Sequence, residues 1–159
     1  MLLRMVSALL MGTGLAVCCG AQPVQAPRTF TIRVMDSHNG KVLAVSNVLI
    51  RINHDKAVHA DWVVPDEDLT GKVTVPAGAT EVAAQATYNH TMELYINCDS
   101  VKAGQPGAAH WYQVSEILAK GVVAVNGCSK RTEAEKPGEL VLFVRTKNWR
   151  DSMDQDFSE

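Results

Sequence analysis

Four residues in one short stretch, His54, Asp55, His59 and Asp61, have the chemistry of a metal site. Imidazole and carboxylate are ligands that zinc commonly takes. In the run AVHADWVV, His59 and Asp61 fall on one face by the period of two, with Val58, Ala60 and Trp62 on the other. His90 and His110 lie elsewhere, and no H-E-x-x-H spacing occurs. A solvated polar strand face explains His54, His59 and Asp61 more simply, so they stand as weak candidates and no metal or cofactor is expected. Asp66, Glu67 and Asp68 could hold calcium with loop carbonyls, but they lack the alternating acidic spacing of a calcium loop and read as a solvated turn. Ser100, Ser115 and Ser129 sit in no G-x-S-x-G setting, and neither glycine-rich phosphate motif is present. Nothing marks a catalytic group, and the chain is expected not to be an enzyme.

Binding chemistry is better represented. His110, Trp111 and Tyr112 are consecutive in a loop-like stretch, and exposed aromatics there would stack on a sugar ring or a partner peptide. The competing reading has Trp111 and Tyr112 pinning the loop onto the fold.

The elements that must position these residues are strands. The chain has 159 residues, 47% of them apolar, enough for one domain with a core. A net charge of -2 argues against nucleic acid as a partner. The N-terminus reads as a targeting segment: Arg4 supplies a basic start, and MVSALLMGTGLAV is apolar but too short and too glycine-broken for a membrane span. Cleavage is placed after Ala21, giving a secreted or periplasmic chain with no transmembrane segment. Cys18 and Cys19 raise a lipid-anchored form, but Val17 stands where a lipobox carries Gly or Ala.

Export decides how the cysteines read. A chain cut after Ala21 keeps Cys98 and Cys128, and an even pair in an oxidising compartment reads as a disulfide. Free buried thiols or a metal pair are the alternatives, although two cysteines without a CxxC make a poor metal signature. Such a bridge would contribute roughly 3–4 kcal/mol on the chain-entropy model.

After an extended leader over 22–28, TFTIRVM alternates with Phe30, Ile32 and Val34 on one face. NVLIRIN repeats the pattern with Val48, Ile50 and Ile52. AVHADWVV, VTVP, the stretch 81–88 (Val82, Ala84, Ala86 and Tyr88 inward) and MELYINC follow. In MELYINC, Met92, Leu94, Ile96 and Cys98 are placed on the core side. ELVLFVR is a near-continuous apolar run, as a strand buried on both faces would be. Turns fall at Asn39-Gly40, in PDEDLTGK and at Asn126-Gly127. Between the cysteines, Ser115 is expected to cap a short helix, EILAK, that docks through Ile117 and Leu118 and stops at Gly121. The tail over 149–159 places Trp149, Met153 and Phe157 at helical spacing. About seven short strands with regular turn signals predict an all-β Ig-like or transthyretin-like sandwich over 29–148, with one short helix in a disulfide-closed insert.

IRVMDSHNGKVLAVSNVLIRI and DEDLTGKVTVPAGATEVAAQA resemble the carboxypeptidase regulatory-like domain family. Asp36, Gly40 and Lys41 match its first turn; Asp68, Gly71, Lys72 and the strand VTVP match its second. The resemblance implies a transthyretin-like β-sandwich in a small stand-alone exported protein, and it implies no reaction. The expected function is a structural or binding role at the cell envelope, with an envelope protein or a glycan as partner. A carbohydrate-binding module using the His110–Tyr112 loop is the alternative, and a metal-dependent hydrolase is less favoured.

Overall fold

The computed structural model describes residues 26–54, 56–61, 69–89, 93–101 and 110–148, with backbone alone at 45–47, 56–61, 88–89 and 100–101. The segment 1–21 read as a targeting signal, with Cys18 and Cys19, most of the stretch read as a leader, Asp55, Trp62, the acidic run 66–68, His90, Met92 and the tail 149–159 lie outside the described residues.

Strands β1 (Arg28–Asp36), β4 (Thr70–Val75), β6 (Tyr95–Asn97), β8 (Val122–Val123) and β9 (Glu139–Thr146) form one sheet, in the order β4-β1-β9-β6 with β8 beside β9. Strands β2 (Val45–Ile52), β3 (Lys56–Asp61), β5 (Glu81–Asn89) and β7 (Tyr112–Gln113) form the second, in the order β3-β2-β5-β7. The two layers make an all-β sandwich. Seven of these strands coincide with the runs read as strands in the sequence. The other two, β7 and β8, have two residues each, too few for a period to register.

Alternation explains how the layers pack. Phe30, Ile32 and Val34 of β1, Val73 and Val75 of β4, and Leu140, Leu142 and Val144 of β9 face Val48 and Ile50 of β2 and Val82, Ala84 and Ala86 of β5. All are buried, and burying each large aliphatic side chain contributes about 1.5–3 kcal/mol. Strand β9 is buried on both faces from Glu139 to Val144, as the unbroken apolar run Leu140 to Val144 requires. Its outer face carries Val141 and Phe143, which pack with Met35 and Cys98 and are flanked by Val123 and Cys128. It also pairs on both edges, in parallel with β1 (Thr31↔Glu139 to Asp36↔Val144) and on the other side with β8 and β6.

The face assigned to the β6 run needs correction. Leu94, Ile96 and Cys98 do share a parity, but that parity is the outer one. Leu94 is 51% exposed, while Tyr95 and Asn97 turn toward the sandwich interior. Asn97 is polar and buried because its side chain continues the ladder at the edge of β5. Its Nδ2 donates to Ala84 O at 2.8 Å, and Ala86 N donates to its Oδ1 at 3.2 Å. A buried amide with both groups paired carries no desolvation deficit.

Two short helices occur in the described insert: a single turn, α1 (Cys98–Val101), and α2 (Val114–Ala119). Ile117 is buried and Leu118 partly so, as expected of a docking helix. The cap is not Ser115, which lies inside the helix; Gln113 occupies that position with no side-chain cap bond. Gly121 ends the helix at φ +85°, and its N–H bonds Ile117 O at 3.0 Å. Gly71, read as part of a turn, instead sits in β4 opposite Ile32. Among the described residues no helix is long and apolar enough to cross a membrane.

Candidate functional site

The disulfide joins Cys98, at the start of α1, to Cys128, with Cα atoms 5.3 Å apart. It lies on the outer side of the β9 sheet. Gly127 N bonds Cys98 O at 3.0 Å, and the Asn126 side chain ties the same loop to Ser37 O and Arg131 O. Ser129 Oγ donates to Ser37 O. Asp36 Oδ1 accepts the His38 and Asn39 N–H groups and closes the β1–β2 turn. Ser37 Oγ and His38 Nδ1 stand 2.9 Å apart in that turn, but Ser37 is fully buried. Ser115 is exposed on α2. The side chain of Ser100 lies outside the described residues.

The bridge fixes α1, and α1 in turn fixes the aromatic stretch. Asp99 follows Cys98 directly, and its Oδ2 accepts the Tyr112 hydroxyl at 2.6 Å. Tyr112 is 6% exposed and belongs to the main core. Burial first, and the neighbouring Asp99 carboxylate second, push its ionisation far above the usual tyrosine range. Tyr112 therefore anchors the stretch.

Its neighbours alternate away from it. Strand β7 pairs with β5 in the register Glu81↔Gln113 and Val82↔Tyr112. Tyr112 and Val82 turn into the core, so Trp111, Gln113 and Glu81 share the outer face of the β5 sheet. His54 joins them from the β2–β3 turn. Asn53 and His54 are consecutive residues at φ 49° and 63°, a left-handed conformation unusual for non-glycine residues. Asn53 is held there by its own side chain: Oδ1 accepts Thr80 N, Thr80 Oγ1 and Glu81 N, and Nδ2 donates to Gly78 O. The turn thereby brings His54 beside Glu81, with Nε2 and Oε2 3.0 Å apart. Its ring lies against Trp111, with centroids 3.8 Å apart and planes tilted by 34°. Gln113 Nε2 donates to the other Glu81 oxygen at 2.5 Å. His110 is exposed and packs on the Tyr112 ring, centroids 4.7 Å apart.

The residues singled out in the sequence thus separate. Tyr112 is a core anchor, Trp111 is half-buried against His54, and His110 is exposed. His54 lies with the aromatics. His59 and Asp61 occupy β3 opposite Leu49 and Asn47, and their side chains lie outside the described residues. Among the described residues no three His, Cys, Asp or Glu side chains form a metal-binding group. Glu81 and Gln113 carried no signal in the sequence alone, because their partnership depends on a strand pairing across 32 residues. Chemically, the patch offers an aromatic surface beside a carboxylate gripped at both oxygens. Compared with known proteins, the chain matches no family model, no curated protein and no solved structure.

Proposed function

We propose that this chain is an exported, non-enzymatic β-sandwich with a binding or structural role at the cell envelope. The supporting observation is the anchored aromatic stretch: the bridge to Cys128 and the Asp99–Tyr112 bond hold β7, and Trp111 emerges beside it on the outer face. Elsewhere polar side chains with chemical potential serve the backbone, as at Asp36, Asn53, Asn97 and Asn126. The chain is further proposed to be a carboxypeptidase regulatory-like domain. In its support, Asp36, Gly40 and Lys41 form the β1–β2 turn, with Gly40 at φ +72°.

A second reading, a carbohydrate-binding module at the His110–Tyr112 stretch, is favoured by the His54–Trp111 stack, with Tyr112 serving as its support rather than as a contact. The test of binding is retention of the tagged mature protein on envelope material from its own source, compared with Trp111→Ala. The binding role predicts that retention is lost while thermal stability holds. Equal retention of both proteins, or turnover of ester, peptide or glycoside substrates abolished by a point substitution, would overturn it.

A further inference from the structure

The notable feature of the Glu81 carboxylate is how it is held. Each oxygen has one side-chain partner, His54 on one and Gln113 on the other. A carboxylate oxygen accepts two hydrogen bonds, so each keeps one acceptor position. The group is partly open to solvent, with a side chain 30% exposed. Its orientation is fixed from two directions, and the Trp111 ring stands on the same face. Two adjacent acceptors on a fixed plane match the two donors of a vicinal diol. An aromatic surface beside them matches the C–H face of the ring that carries such a diol.

We propose that this edge of the β5 sheet is a subsite for a neutral pyranose, with the sugar ring on the part of Trp111 that His54 leaves uncovered and two neighbouring hydroxyls donating to Glu81. This rests on the carbohydrate reading above and adds the ligand class and the hydrogen-bonding residue. An ammonium ligand would also meet an aromatic ring and a carboxylate. The patch, however, offers a donor as well: Gln113 has a second amide hydrogen. Hydroxyl groups use donors and acceptors together, whereas an ammonium uses acceptors alone. The subsite is also formed before binding. Tyr112 anchors β7 and Asn53 holds the turn, so the sugar has little to order.

The experiment follows the Trp111 indole N–H by NMR in the oxidised mature protein. The probes are methyl glucopyranoside, mannopyranoside and galactopyranoside, each beside its fully O-methylated counterpart, with tetramethylammonium as the cationic control. A saturable shift is expected with at least one free glycoside and none with the O-methylated forms. Glu81→Gln keeps the shape and the backbone bond to Asn53, and it should weaken that binding about tenfold, the worth of one charge-assisted hydrogen bond. Gln113→Ala should weaken it less. The subsite is overturned if no free glycoside shifts the indole, if the O-methylated sugars bind equally, if tetramethylammonium binds instead, or if Glu81→Gln leaves affinity unchanged. Envelope retention that depends on Trp111 but not on Glu81 would remove this subsite and leave the binding role standing.

Discussion

Tyr112→Phe removes one oxygen and leaves the ring in the core. The lost bond is the 2.6 Å contact to Asp99 Oδ2. Hydrogen bonds to charged groups contribute about 1.5–3 kcal/mol, and Asp99 is partly exposed and regains water, so a loss near 1.5 kcal/mol is expected at neutral pH. The pH dependence is the more specific signature. The folded state holds the Tyr112 proton well above the ordinary value of 10.0. A group whose ionisation is raised on folding stabilises fully below its unfolded value, and that contribution is lost as pH rises above it. From pH 10 upward the wild type should lose about 1.4 kcal/mol per pH unit through this one group, and Tyr112→Phe should lack that slope. The two proteins should therefore converge in stability near pH 11. Urea unfolding at pH 8, 10 and 11 measures the convergence. Tyrosinate absorbance in the folded protein should show Tyr112 silent until the chain unfolds. A stability deficit that stays constant from pH 8 to 11, or a folded-state Tyr112 that ionises near pH 10, would refute the buried anchor.

Two further predictions concern the frame around it. Gly121→Ala drives a Cβ into the Lys136 carbonyl oxygen at φ +85°, a backbone clash no rotamer relieves; a loss above about 2 kcal/mol in urea unfolding is expected. Cys98 and Cys128 should leave the intact mass two hydrogens below that of the reduced protein, and replacing both with Ala should cost roughly 3–4 kcal/mol, read as a lower urea midpoint.

Much of the fold was legible because alternation is a local signal. Phe30, Ile32 and Val34, or Val82, Ala84 and Ala86, announce their inner face without reference to any other strand. The unbroken apolar run of β9 likewise declares two buried faces. The local signal misleads where the deciding interaction is distant. In MELYINC the apolar residues Leu94 and Ile96 suggested the inner face, yet Asn97 goes inward because β5 offers it a carbonyl and an N–H. Ser115 looked like a cap, but the chain enters α2 directly from β7, which puts Gln113 there. The site was legible in part. His110, Trp111 and Tyr112 were visible as a group, but which of them faces out is set by the β5–β7 register. His54 belonged to a metal pattern in sequence and to an aromatic stack in space, because two left-handed residues turn it toward Glu81.

The parallel pairing of β1 with β9 sets the order in which this molecule can come into being. Arg33 and Glu139 form a two-pronged ion pair across it, at 3.0 Å on each prong, between positions 106 residues apart. Of the described strands the first to emerge must wait for the last, and contacts this distant in sequence make folding slow. Until β9 arrives, β1 and β6 each lack a neighbour and their sheet has no centre. Cys98 and Cys128 both precede β9, so the bridge can close while that gap is still open. Oxidation before completion then turns the last step into the insertion of one strand into a half-built slot. A chain stopped short of residue 139 lacks the strand with which β1, β6 and β8 all pair, so it cannot complete this sheet.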